Sequence, residues 1–226
     1  MTKEELTDQY RMLIEKGEMP QLLCKYRSID QTLMFLENSQ LWFAQLKSFN
    51  DPFESRYVIR SSKTLGKKIY DTLDAIYDSC GVLCLCVSWQ NILMWTHYGH
   101  KHRGAALVFD VMEDVGVFTG LVPVTYTLDY PMVEPLNPKT YLRIMGDKFK
   151  GWQHEAEFRV LHPNSANRLK PVSPCALRHI VFGCRTSNED IERVKALVAR
   201  KGIFTNVTFL RCEMDDNEYK LNVRSI

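Results

Sequence analysis

Trp152-Gln153-His154-Glu155-Ala156-Glu157-Phe158-Arg159-Val160 alternates charge with apolar character: Glu155, Glu157 and Arg159 interleave with His154, Ala156, Phe158 and Val160. A repeat of two is that of a β-strand, whose successive side chains leave on opposite faces. The stretch therefore predicts a strand, centred on residues 158–161, with three charged groups on one face and mostly apolar groups on the other. Upstream, residues 139–150 predict a helix. Downstream, residues 180–182 predict a strand ending at Gly183. Ser187 with Asp190 then opens a helix carrying Ile191, Val194, Leu197 and Val198, and a strand follows over residues 207–212. Helices interleaved with several short strands predict an α+β fold. We expect a single domain over residues 1–226, with a mixed or split β-sheet around a cleft and flanking helices.

The first half repeats the pattern. Thr2 and Glu5 form a capping box for a helix over residues 2–16, with Leu6, Tyr10, Leu13 and Ile14 on one face and Gly17 at its end. A strand over residues 22–27 precedes a second capping box, Ser28 with Gln31, whose helix runs to Asn38. Residues 41–44 read as a strand and 48–52 as a turn. Residues 64–79 read as a helix with Ile69, Leu73, Ile76 and Tyr77 on one side, and 82–88 as a buried strand. A short helix over 91–98, a polar loop over 99–104, and strands over 105–110 and 121–127 complete the order.

A chain of 226 residues can bury a sizeable core. With 45% hydrophobic and 25% charged residues it has globular composition, which excludes disorder, collagen and coiled coil. Lys+Arg 29 against Asp+Glu 27 leaves a net charge of +2, too small to announce nucleic-acid or membrane binding from bulk charge. The N-terminus has no apolar stretch of signal-peptide type, and no run approaches the roughly 18 apolar residues of a membrane span. A cytoplasmic protein is expected, with no membrane partner. Seven cysteines is an odd count, and Cys80, Cys84 and Cys86 lie in or beside an apolar strand pattern, which suits reduced thiols better than disulfides.

His97, His100 and His102 beside those cysteines invite a metal, but the spacing matches no paired zinc signature and strand alternation separates the thiols. No metal is expected. No cysteine sits at a nucleophile elbow or helix N-terminus that would lower its pKa. Lys25-Tyr26-Arg27 places two cations and an aromatic at a strand end before a capped helix, an arrangement that suits phosphate or carboxylate as well as a plain surface position. Glu155 and Glu157, two residues apart, can divide work between a substrate hydroxyl and an attacking nucleophile, or form an exposed ion-paired strand face. Phe49-Asn50-Asp51-Pro52-Phe53-Glu54 is a polar turn between aromatics, and Met94-Trp95 with Tyr98 reads as a core-facing stripe.

Together these segments resemble a widespread bacterial family of domains of unknown function. Its marks are KYR (Lys25 to Arg27), FNDPFE (Phe49 to Glu54), MW-x-HY (Met94 to Tyr98), H-x-G (His102 with Gly104) and W-x-x-E-x-E-x-R (Trp152 to Arg159). The order of a strand Arg, a strand-end Ser and a late E-x-E is also similar to ADP-ribosyltransferases of the Arg-Ser-Glu type. Ser88 here stands in Val-Ser-Trp rather than in a Ser-Thr-Ser triplet.

The second resemblance implies an NAD-consuming transferase, of the kind found among toxins and phage-defence effectors, acting on a protein or nucleic-acid acceptor without a metal. It implies that Glu157 stabilises the oxocarbenium-like ribose and that Glu155 orients the acceptor. Arg27, with Lys25 and Tyr26, would hold the pyrophosphate of NAD, and Ser88 would support the ribose. Asn50, Asp51, His97, Tyr98 and His102 are the candidate substrate-binding residues from the remaining motifs. The alternative is a non-enzymatic binding or interaction module in which the Arg and Glu side chains form structural ion pairs.

Overall fold

A computed structural model describes residues 2–54, 56–59, 63–133 and 138–226. The N-terminal helix α1 (Lys3–Glu15) starts at the predicted capping box: the Thr2 side chain accepts from Glu5 N–H and the Glu5 carboxylate accepts from Thr2 N–H. Strand β1 (Leu22–Arg27) leads to α2 (Ile29–Asn38), started by the reciprocal Ser28 and Gln31 pair. Each box satisfies helix N–H groups that have no partner inside the helix. The chain continues through β2 (Gln40–Gln45), β3 (Val58–Ile59), α3 (Lys63–Ser79), β4 (Gly81–Cys86), α4 (Ile92–His97), β5 (Ala105–Asp110) and α5 (Val115–Phe118). Next come β6 (Leu121–Pro123), β7 (Thr125–Thr127), β8 (Met132–Val133), α6 (Pro138–Gly146), β9 (Asp147–Phe149) and β10 (Glu157–His162). The last elements are β11 (Arg168–Pro171), β12 (Leu177–Phe182), α7 (Asn188–Lys201), β13 (Thr208–Met214) and β14 (Leu221–Ser225). This is the expected α+β class. Among the described residues no helix is long and apolar enough to cross a membrane.

The chain packs as two compact units, one of residues 1–41, 85–119 and 170–226 and one of residues 42–84 and 120–169. In the first, β5 lies between β1 and β12, antiparallel to both, with Leu22 opposite Asp110 and Arg27 opposite Ala105. The expected strand, helix, strand tail is β12, α7, β13: β12 and β13 pair in parallel, and β14 returns antiparallel to β13. Its core gathers Tyr26, Met94, Trp95, Val108, Val181 and Cys212. Tyr10 of α1 reaches across to donate from Oη to Phe118 O at 2.6 Å.

In the second unit Leu46, Leu73, Tyr77, Ile144, Met145 and Leu161 form the core. Here three expectations are corrected. The helix expected over 139–150 stops at Gly146, and Asp147–Phe149 forms β9, paired in parallel with β7. The strand expected over 121–127 is two strands, because β6 pairs with β10 while β7 pairs with β9. The strand expected from Glu155 begins at Glu157: residues 150–155 form a 3-10 turn, and Ala156 takes a left-handed backbone (φ 44°) before β10.

Candidate functional site

β9 and β10 carry a buried charge cluster in the second unit. Lys148 Nζ donates to Glu157 Oε2 at 3.0 Å, pairs with Glu54 Oε1 at 3.2 Å and is bonded to Glu155 Oε2. Arg159 Nε donates to Glu157 Oε1 at 2.8 Å, Nη2 to Glu157 Oε2 at 3.2 Å and to Glu54 Oε2, and Nη1 to Met145 O at 2.8 Å. None of these five side chains is more than 5% exposed. The exposed strand face considered for Glu155 and Glu157 is thus a buried one. The 3-10 turn brings Glu155 to the same ammonium as Glu157, although Glu155 precedes the strand.

Two sequence motifs meet at this cluster. FNDPFE supplies Glu54, and the guanidinium of Arg159 lies over the Phe49 ring at 5.3 Å. Asp51 Oδ1 accepts from Phe53 N–H at 2.8 Å, which closes the turn, and Oδ2 accepts from Trp152 Nε1 at 2.7 Å. Lys148 sits over the Trp152 ring, 5.4 Å from its centre. Asn50, in the same turn, is exposed. Lys148 had no signal in the sequence, because the helical pattern ran through it and only its pairing with β7 turns it inward.

Glu157, Lys148 and Arg159 stay ionised. Burial works to protonate Glu157, but the Arg159 charge and hydrogen bonds, with Lys148, overcome it and hold the carboxyl at about 2. Burial works against the Lys148 ammonium, and Glu157, Glu54 and Glu155 more than restore it, so its pKa rises. Arg159 is shifted the same way, burial being outweighed by Glu157. Tyr126 Oη accepts from Glu157 N–H at 2.8 Å, and burial pushes that phenol up to about 12. A carboxylate near 2 and cations raised above their usual range neither take nor give protons near pH 7. A cavity of about 250 Å³ adjoins Lys148, with Arg56 and Asp147 also in its wall. Burial raises the Asp147 carboxyl, and Arg143, at 3.0 Å, opposes the shift.

The other motifs meet in the first unit. Tyr26 Oη donates to Ser88 O at 2.9 Å, and its ring stands edge-on to Trp95 at 4.8 Å. Burial raises the Tyr26 phenol far above its ordinary value. Lys25 lies opposite Leu107 in the β1–β5 ladder. Arg27, at the end of β1, has a buried Nε without a hydrogen-bond partner, and burial lowers its pKa. Ser88 Oγ accepts from Gln90 N–H at 3.2 Å. Gly104 packs so closely that a Cβ there would stand 2.0 Å from Arg27 O. Tyr98 closes α4 through its N–H to Met94 O at 2.8 Å, and the His97 ring lies 6.1 Å from the Tyr98 ring. His102 Nε2 lies 3.1 Å from Thr96 Oγ1 and Nδ1 lies 3.6 Å from Cys184 Sγ. Arg27 and Ser88 therefore belong to one unit and Glu155 and Glu157 to the other. Among the described residues no group of three or more His, Cys, Asp or Glu is arranged to hold a metal ion. No known family model matches the chain, and neither a curated protein nor a solved structure is significantly similar to it.

Proposed function

We propose that the protein is a binding module in which the E-x-E carboxylates have a structural role and the first unit holds the ligand. The observation that carries this reading is the engagement of Glu155 and Glu157: both are buried, Lys148 is paired with both, and Arg159 donates to both oxygens of Glu157. A carboxylate that stabilises a ribosyl cation has to face the sugar in a site open to a dinucleotide. In the first unit a cavity of about 970 Å³ lies against His97 and His102, two of the residues the sequence nominated for substrate binding. That is the size of a small-molecule site. Its wall carries both signs of charge, Lys101, Arg185 and Lys220 with Asp215, Asp216 and Glu218, which suits a polar ligand.

The test is release of nicotinamide from NAD by the purified protein. No release above the protein-free blank is expected. Release that the Glu157→Gln variant abolishes would instead establish ADP-ribosyl transfer with Glu157 as the ribose-facing carboxylate. The ionised state of Glu157 is the observation that favours this second reading.

A further inference from the structure

β1 and β4 are antiparallel neighbours, and their register sets Cys24 directly opposite Cys86. Opposed residues of an antiparallel pair hold their Cα atoms about 4.5–5.5 Å apart. That lies inside the roughly 4.4–6.8 Å that a disulfide spans. The two Sγ atoms are 3.2 Å apart. An S–S bond is about 2.05 Å long, so small rotations about the two Cα–Cβ bonds close the gap with the backbone in place. Both cysteines belong to the first unit.

The surroundings already fit the oxidised state. Both thiols reach one carbonyl, Ser88 O, with Cys24 Sγ at 3.3 Å and Cys86 Sγ at 3.6 Å, and Tyr26 Oη donates to the same oxygen at 2.9 Å. Tyr26 stays when the thiol protons are gone, so oxidation leaves that buried acceptor satisfied. Cys212, the third cysteine of this core, reaches Trp89 O at 3.6 Å. Burial and the hydrogen bond with Cys86 raise the Cys24 thiol well above its ordinary value, which keeps its proton in place. Contact rather than thiol acidity selects this pair. Cys24 is 0% and Cys86 3% exposed, so Cys86 is the one that a small oxidant meets first.

We propose that Cys24 and Cys86 are a redox pair, which a small peroxide converts in the folded chain to a disulfide tying β1 to β4. With hydrogen peroxide, Cys86 Sγ bonds to one oxygen and the O–O bond breaks. The departing hydroxide takes the Cys86 proton and leaves as water, and Cys86 becomes a sulfenic acid. Cys24 Sγ then bonds to Cys86 Sγ as the S–O bond breaks, and the second hydroxide leaves as water with the Cys24 proton. The two sulfurs together lose two electrons and the peroxide gains them. A dithiol reductant reverses the change. The inference does not depend on which ligand the first unit holds.

The experiment exposes the reduced full-length chain to millimolar hydrogen peroxide, quenches it at intervals with N-ethylmaleimide in guanidinium chloride, and reads a digest made without reductant by mass spectrometry. Cys175 is exposed and shows that the oxidant is acting. The peptide linking Cys24 to Cys86 is expected to exceed every other cysteine pair by at least about tenfold, because contact makes the second step intramolecular. Dithiothreitol before the quench should return both residues to maleimide adducts. Cys86→Ser should abolish the linked peptide and leave Cys24 as its maleimide adduct, with Cys175 oxidised as in the wild-type chain. Recovery of Cys24 and Cys86 as maleimide adducts once Cys175 is fully oxidised overturns the proposal. A link from either residue to Cys212 in an amount comparable to the Cys24–Cys86 link overturns it as well. Neither readout involves nicotinamide release, so this inference and the proposed function fail separately.

Discussion

Replacing Glu157 by Gln removes one negative charge and almost no volume from the buried cluster. The ordinary carboxyl value of 4.5 falls to about 2 in the folded protein. At about 1.36 kcal/mol per unit, that shift corresponds to roughly 3 kcal/mol of stability at neutral pH. The sign follows from the depression: the contribution is fully present above pH 4.5 and is lost as pH falls through 4.5 toward 2. Glu157→Gln should therefore destabilise the chain by about 3 kcal/mol at pH 7, and the gap to wild type should shrink by more than half at pH 3. Urea unfolding at a series of pH values between 7 and 3 measures it. For a chain of this length the same loss lowers Tm by roughly 6–12 °C at pH 7. A gap that stays constant with pH would refute the reasoning, since it would show that Glu157 does not gain its stability from being ionised beside Arg159 and Lys148.

Arg159→Met keeps the apolar stem but leaves Glu54 and Glu157 facing Lys148 alone and removes the donor to Met145 O. Breaking one partner of a buried ion pair costs about 3–5 kcal/mol, so urea unfolding of this variant should show a larger loss than Glu157→Gln at pH 7. Gly104→Ala places a Cβ 2.0 Å from Arg27 O, a backbone atom in β1 that has no room to move. We expect it to destabilise the first unit by at least about 1–3 kcal/mol, the scale of overpacking a filled core, seen as a lower Tm by circular dichroism. An unchanged Tm would mean that β1 and the loop before β5 are not held at this approach.

Much of the fold was legible because the signals are local. Thr2 with Glu5 and Ser28 with Gln31 mark helix starts within four residues, and the apolar runs of β1, β4 and β5 reflect burial that a strand needs wherever it pairs. The tail from β12 to β13 was readable for the same reason, since α7 carries its cap and apolar stripe in its own sequence. The short strands were not. β14 has five residues and becomes a strand by pairing with β13. β9 has three residues, directly after a helix whose pattern runs on through Lys148.

The same division applies to the chemistry. W-x-x-E-x-E-x-R announced Glu155, Glu157 and Arg159 as a group, but alternation says which side chains share a face and not what that face meets. Exposed or buried, catalytic or paired, depended on Lys148 from β9 and Glu54 from a turn about a hundred residues earlier in the chain. Cys24 and Cys86 are 62 positions apart, and their contact needs β1 and β4 to pair in one register. Sequence alone determined where the capped helices start, which longer apolar runs are strands and which residue types carry charge, because those follow from near-neighbour hydrogen bonding and side-chain periodicity. Tertiary structure alone decided which charges neutralise one another and which thiols meet, because those energies depend on distances between segments that no local pattern encodes.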